Sequence, residues 1–309
     1  MRCILCKNKA VQSNLCKKHF IEYFENKVFE TIEKHELIGK NDKILVACSG
    51  GKDSTALLYL LHKKYKNNVS ALAIDEGIKN YRDKTLKDLK NFCKKHKIKL
   101  IIVSFKKEVS YPLDVLVKKL DEKPCTVCGI LRRYLLNKYS RGYDLIALGH
   151  NLDDEAQAIL MNILKANTEV SARLGPITGV IRDKRFTKRI KPLYFLTEKE
   201  VLVYTFLMEF GVSFNECPYV RESFRGYVRG ILNEYESKHP GAKKNMVNKF
   251  LLLLPSIKKK YSRKNDSAKI GYCKLCGEPS SRQICNTCLL IEKIKKNLNK
   301  SEYSAVLCL

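Results

Sequence analysis

The side chains with the widest chemical reach in this chain are its 13 cysteines, and spacing sorts most of them into three sets. Cys3-x2-Cys6 is followed, after nine residues, by Cys16-x2-His19. Cys273-x2-Cys276 is followed, after eight, by Cys285-x2-Cys288. Each is a pair of knuckles able to close four soft donors around one ion. Three thiolates with an imidazole, and four thiolates, are both donor sets of tetrahedral structural Zn2+. The third set is Cys125-x2-Cys128 with Cys217, far downstream in Glu216-Cys217-Pro218-Tyr219. Three thiolates are one short of a closed site. They suit an iron–sulfur cluster with one iron left open, or a catalytic persulfide pair. The plainer reading is a Cys-x2-Cys that packs or forms a reversible disulfide, with Cys217 unrelated. Cys48 and Cys93, in an apolar and a helical stretch, are expected to pack, and Cys308 is left over.

A second signal is Ser49-Gly50-Gly51-Lys52-Asp53-Ser54, which follows the apolar run Lys43–Cys48 and precedes a helical run from Thr55. Strand, Gly-rich turn and helix together aim backbone N–H groups and a helix N-terminus at phosphate. Gly50 and Gly51 let the backbone approach an anion, Ser49 and Ser54 offer hydroxyls, and Lys52 adds charge. Asp53 is expected to cap the helix or hold Mg2+. The order is neither a Walker A loop nor a Rossmann fingerprint. It resembles the PP-loop of the N-type ATP pyrophosphatases, which split ATP between the α and β phosphates and adenylate a substrate.

These residues need a scaffold, and the surrounding sequence describes one. Apolar runs at Val69–Ile74, Ile98–Ser104, Asp144–Leu148 and Arg189–Leu196 read as further strands. Asn80–His96, Val109–Leu120, Gly129–Ser140, a segment ending near Leu164, and Thr197–Phe210 read as helices. Such alternation predicts an α/β fold with a parallel sheet and helices on both faces. Ligands in such sheets sit at the carboxyl ends of the strands. That places Ser49–Ser54, Asp75–Gly77 and Gly149–Asp154 along one rim, with the cysteine pair at the start of a helix able to face it. The expected division is a zinc finger over 1–26, a PP-loop catalytic domain over 27–240, and a basic helical segment with a second finger over 241–309.

Charge points to the partner. Lys+Arg number 59 against 32 Asp+Glu, a formal net charge of +27. Residues 241–309 alone hold 15 Lys/Arg against 4 Asp/Glu, densest at Lys258–Lys264. A polyanion, and RNA above all, is the expected partner, since such runs grip phosphate without reading sequence. No apolar run approaches the roughly 18–20 residues of a membrane span. With no apolar leader after Met1 and cysteines arranged as metal ligands, the expected location is cytoplasmic.

The complete set resembles the tRNA 2-thiouridine synthetases of the TtuA type, in the TtcA-like branch of PP-loop enzymes. The matching features are the Cys3/Cys6/Cys16/His19 finger, the Ser49–Ser54 loop, Cys125-x2-Cys128-Gly129, Gly149-His150-Asn151-Leu152-Asp153-Asp154-Glu155, Glu216-Cys217-Pro218-Tyr219, and the finger from Cys273 to Cys288. The resemblance implies an adenine nucleotide alpha hydrolase-like sheet flanked by two fingers, each holding one Zn2+. It implies that ATP with Mg2+ adenylates the C2 carbonyl oxygen of a tRNA uridine. Sulfur then replaces that oxygen, giving 2-thiouridine, AMP and pyrophosphate. Cys125, Cys128 and Cys217 would hold a [4Fe-4S] cluster whose open iron takes sulfur from a ubiquitin-like thiocarboxylated carrier or from free sulfide. ATP would meet Ser49, Gly50, Gly51, Lys52, Asp53, Ser54, Asp75, Gly149 and Asp154. Lys52, Arg132 and Asp153 would be catalytic, and Lys191 a further phosphate contact. A homodimer is expected on the same ground.

One departure matters. Members of that family carry Lys-Arg where this chain has Arg132-Arg133, and the Lys is held to be catalytic. Arg132 keeps the charge but exchanges protons poorly near neutral pH, which favours an electrostatic role. The first finger ends in His19, which leans towards the enzymes that thiolate the T-loop uridine rather than the wobble uridine. The alternatives are that same chemistry at the wobble position, another PP-loop reaction such as lysidine formation or amidation, and a non-catalytic zinc-containing RNA-binding protein.

Overall fold

The computed structural model describes residues 2–180, 183–213, 215–220, 223–265 and 270–306; Cys308 lies outside them. The elements run α1 (Lys17–Lys34), β1 (Ile44–Ala47), α2 (Lys52–Tyr65), β2 (Val69–Asp75), α3 (Arg82–His96), β3 (Lys99–Ser104), α4 (Phe105–Val109), α5 (Leu113–Lys119), α6 (Pro124–Tyr139) and β4 (Leu145–Leu148). There follow α7 (Leu152–Leu164), α8 (Thr168–Ser171), β5 (Lys188–Ile190), α9 (Glu198–Leu207), α10 (Phe224–Lys238), α11 (Ala242–Asn265), β6 (Gly271–Tyr272), β7 (Pro279–Ser280) and α12 (Asn286–Val306).

Five parallel strands form one sheet in the order β3-β2-β1-β4-β5. Strand side chains alternate between faces, so β1 supplies both halves of the core. Ile44 and Val46 pack with α1, α2 and α9, whereas Leu45 packs with α5, α6 and α12. Chain order runs outward from β1 to β3 and then returns to β4 on the other side of β1. The crevice between β1 and β4 is therefore the switch point, the place where such sheets bind ligands.

Helices α1, α11 and α12 pack against the sheet's helices. Phe20, Phe24, Val28 and Ile32 recur every four residues along α1 and are all buried. Each such burial is worth about 2 kcal/mol, and Phe24 also stacks on Tyr204 of α9 at 4.1 Å. Cys3, Leu15 and Cys16 join the same cluster, and α1 passes through residue 26 without a break. Val247, Phe250 and Leu254 of α11 pack on Leu152, Ala156 and Ile159 of α7. Leu290 and Ile294 of α12 pack with Leu131 and Leu135 of α6, the helix that carries the cysteine pair.

Two expected elements differ. The helix expected over Val109–Leu120 is confined to α5, with α4 ending at Val109, because Ser110 takes a left-handed conformation and Pro112 bars its predecessor from helical geometry. The fifth strand stops at Ile190 rather than Leu196, because Pro192 has no N–H to offer the ladder. Among the described residues no helix is long and apolar enough to cross a membrane.

Candidate active site and metal centres

The phosphate loop is folded by its own hydroxyls. Gly51 N–H donates to Ser49 Oγ at 3.3 Å, Ser49 N–H donates to Ser54 Oγ at 3.2 Å, and Ser54 Oγ donates to the Gly51 carbonyl at 3.1 Å. Gly50 has φ +81°, and a Cβ there would lie 2.3 Å from the Thr85 carbonyl oxygen, so only glycine fits. Gly149, at the end of β4, is pinned from the other side: its Cβ would lie 2.9 Å from Ser54 N. The first turn of α2 begins at Lys52, so the loop's last three residues lie on the helix N-terminus itself.

Around the loop, charges are paired but wet. Lys52 Nζ lies 3.0 Å from Asp53 and 2.9 Å from Glu198. Burial pulls the Lys52 ammonium down, but the two carboxylates more than offset it, and its pKa is raised. Asn151 Nδ2 donates to Asp53 Oδ1 at 2.9 Å, yet burial and the nearby Asp154 leave the Asp53 carboxyl above its ordinary range. Asp154 is also raised, by burial first, against Arg225 at 3.1 Å. His150 is pushed down to about 3, by burial and then by Lys191, Arg225 and Arg132. His150 is nonetheless exposed, and Asp53, Asp154 and Arg132 keep 25%, 30% and 45% of their side-chain surface in water. Side chains ringed by protein and still wet line a cleft.

The two carboxylates after β4 have different surroundings. Asp154 closes a reciprocal cap with Asn151 through one oxygen and presents the other to Arg225. Asp153, expected to act on substrate, is buried with both oxygens taken. Lys243 Nζ of α11 donates to Oδ1 at 2.5 Å, and the Glu198 N–H that opens α9 donates to Oδ2 at 2.7 Å. Its contacts tie three helices together. Lys191, expected to reach phosphate, is instead buried in an ion pair with Glu155 at 2.6 Å. Asp75 stands at the end of β2, where its Oδ1 accepts the Gly77 N–H at 2.9 Å.

Cys125 and Cys128 lie three residues apart on the first turns of α6 and so share a face. Cys217 reaches them from the segment before a short turn at Pro218–Val220, and Cys125 Sγ is 3.8 Å from the Tyr219 carbonyl oxygen. Cys128 senses both of the other thiols electrostatically, and Cys217 senses Cys125. Burial, followed by Glu76, pushes the Cys128 thiol up to about 12; burial also raises Cys217. A metal cluster bound here would displace those protons. Cys48 and Cys93 are buried and packed, as expected.

The outer sets are already closed. Cys6–Cys16, Cys273–Cys288 and Cys276–Cys285 sulfurs are each 3.7 Å apart. A tetrahedron of Zn–S bonds requires about 3.8 Å. His19 Nδ1 lies 3.4 Å from both Cys3 and Cys16 sulfurs. Backbone N–H groups of Leu5 and Cys285 donate to the sulfurs of Cys3 and Cys273. All four donors of each set fall within 4.8 Å of one another, a spread suited to one ion.

Arg82 and Arg225 are not among the residues the sequence points to, and Glu76 enters there only as part of the rim segment Asp75–Gly77. The single hint was position: Glu76 follows a strand end on the rim, and Arg82 opens the next helix.

A family model described as a PP-loop domain (ATP_bind_3) matches residues 21–229. The chain is 41% identical over 311 residues to the tRNA-5-methyluridine(54) 2-sulfurtransferase of Pyrococcus horikoshii, covering 97% of this chain and 96% of that one. It is 32% identical to cytoplasmic tRNA 2-thiolation protein 1 of Aspergillus niger, covering 97% and 88%. Among solved structures, the U34-tRNA thiolase NcsA from Methanococcus maripaludis, with its [4Fe-4S] cluster, superposes with a TM-score of 0.76 at 34% identity, covering 94% and 96%. A phosphate loop at the switch point, two thiols on a neighbouring helix with a third brought beside them, and likeness along nearly the whole length agree: this chain belongs to the PP-loop family of tRNA 2-thiolation sulfurtransferases.

Proposed function

We propose that this chain thiolates the T-loop uridine or 5-methyluridine of tRNA at C2. The observation that carries the chemistry is the arrangement of Cys125, Cys128 and Cys217 beside the ATP loop, joined to it by Glu76 and Arg132. Support for the T-loop comes from the relative of 41% identity, named for position 54, and from His19 completing the first metal set.

In this reading the loop amides, Ser49, Gly50, Gly51 and Ser54 receive the ATP phosphates at the start of α2. Gly149 keeps the wall close, and Asp75 borders the nucleotide at the end of β2. Asp53 and Asp154, neighbouring carboxylates opposite Lys52, hold Mg2+. The uridine oxygen attacks the α phosphorus, the bond to the β phosphate breaks, and Lys52 with Mg2+ stabilises the departing pyrophosphate. Adenylation makes the C2 oxygen a leaving group, so sulfur at the sulfide level can bond to C2 as AMP departs. A [4Fe-4S] cluster on Cys125, Cys128 and Cys217 would supply the coordination site from which that sulfur is delivered. Arg132 then serves as a fixed positive charge, and Asp153 positions the rim through Lys243 and α9. The sulfur donor is a ubiquitin-like thiocarboxylated carrier or free sulfide. One Zn2+ in each outer set holds its finger. The basic α11 and the fingers grip tRNA, the active form is a homodimer, and the enzyme works in the cytoplasm.

The test is thiolation of unmodified tRNA by anaerobically reconstituted protein with ATP, Mg2+ and sulfide. Products are fragmented and read by nucleoside mass spectrometry. The T-loop fragment should carry 2-thiouridine, with one pyrophosphate released per thiolation. Sulfur in the anticodon fragment would move the reading to the wobble uridine. Binding of tRNA with no pyrophosphate release would reduce the chain to an RNA-binding protein.

A further inference from the structure

One buried carboxylate links the nucleotide loop to the cysteine face. Glu76, at the end of β2, is 6% exposed. Its Oε2 lies 2.9 Å from Nε of Arg82, which is 2% exposed; the contact is an ion pair too bent to count as a hydrogen bond. The same guanidinium donates through Nη1 to the Ser49 carbonyl of the phosphate loop and, at 3.1 Å, to Thr85 Oγ1. Glu76 Oε1 faces Arg132 Nε at 3.4 Å, and Arg132 stands one helical turn after Cys128 on α6, on the same face. The Leu113 N–H holds the Glu76 backbone carbonyl at 2.7 Å. Beside the bridge lies a void of about 10 Å³, room for about one water, bounded by Cys48, Ile74 and Leu136 as well as the three charged groups. One carboxylate thus sits between two guanidiniums that would otherwise repel, and each guanidinium serves a different half of the reaction.

We propose that Glu76 is a positioning residue that couples ATP binding to sulfur insertion. Through Arg82 it fixes the Ser49 carbonyl and hence the shape of the phosphate loop. Through Arg132 it aims a positive charge at the place where oxygen leaves and sulfur enters. The second half rests on the thiolase reading above; the first requires only that the loop binds ATP.

The two halves separate experimentally. In Glu76→Gln, affinity of the iron-free protein for a fluorescent ATP analogue should weaken about 3- to 10-fold, with a Tm showing that the protein is folded. With reconstituted protein, thionucleoside formation should fall about 30-fold at saturating ATP, and pyrophosphate released per thionucleoside should rise above one. Adding Glu76→Gln to Arg132→Ala should cause no further loss of thiolation beyond about 2-fold, while the weakened ATP affinity persists. Additive losses in thiolation, or unaltered ATP affinity, would overturn the proposal. If Glu76→Gln fails to fold, Glu76→Asp keeps the charge but shortens the reach to Arg132. It should uncouple pyrophosphate release from thiolation, and tight coupling in that variant would count against the bridge. Wild-type protein inactive in thiolation would sink the thiolase reading, and the ATP-affinity result would still decide the first half.

Discussion

The outer and inner cysteine sets solve opposite problems. Each outer set is gathered from a short stretch, with sulfurs at 3.7 Å and backbone N–H groups turned onto them. Local chain geometry brings all four donors of each set within reach of one ion. The inner set draws two thiols from α6 and one from a distant segment, leaves Cys125 exposed, and has Glu76 and Arg132 close by. It is held by tertiary packing and left incomplete. A closed shell stabilises; an open one beside a fixed charge can react.

The sharpest way to break that contrast is to remove one sulfur from each kind of set. Cys217→Ala should lower thiolation at least about 100-fold while shifting Tm by less than about 3 °C. Cys273→Ala should do the reverse. Zinc content should drop by one per chain and Tm by more than about 5 °C, because the finger's fold depends on its ion. Metal analysis with melting curves and nucleoside assays reads both. Full thiolation by Cys217→Ala, or an unchanged Tm for Cys273→Ala, would erase the distinction.

Asp153 and Asp154 repeat the contrast one residue apart. Asp153→Ala strands the buried Lys243 ammonium and leaves the Glu198 N–H at the start of α9 without its acceptor, so it should cost about 3–5 kcal/mol of stability. Asp154→Ala loses one side of a helix cap, about 1 kcal/mol, yet should lose at least about 10-fold in activity. Denaturant titration beside initial rates separates the two. Equal destabilisation would remove the case for treating Asp154 as the working carboxylate.

What the sequence reveals and conceals follows from range. The loop between Val46 and Thr55, the knuckles at Cys3 and Cys273, and the strand alternation are local patterns, and they appear where spacing places them. Glu76, Arg82, Arg225 and Lys243 are single charged residues in a chain rich in them. They acquire meaning only because β2, α3, α10 and α11 converge on one cleft. Lys191 shows the converse: next to Pro192 it looks like a phosphate contact, but folding buries it against Glu155. Asp153 and Asp154 are indistinguishable in sequence, and helix geometry turns one inward and the other to the cleft.

The smallest predicted effect concerns what leaving a site open costs. Burial raises the Asp53 pKa, so the folded protein holds the Asp53 proton more tightly than the unfolded chain does. For a carboxyl raised in this way, ionisation at neutral pH opposes folding. That penalty fades as pH falls through the folded pKa, and it is absent below the unfolded value. Asp53→Asn should therefore raise the Tm of the metal-free protein at pH 7 by about 1–3 °C while abolishing Mg2+-dependent nucleotide binding. The gap should narrow on acidification, as the wild-type carboxyl takes its proton, and also when Mg2+ and nucleotide are added to wild type alone. A gap independent of pH would mean that the gain comes from packing rather than charge. Asp53 would then belong with the closed, satisfied groups of the outer sites rather than with the exposed charge of the inner one.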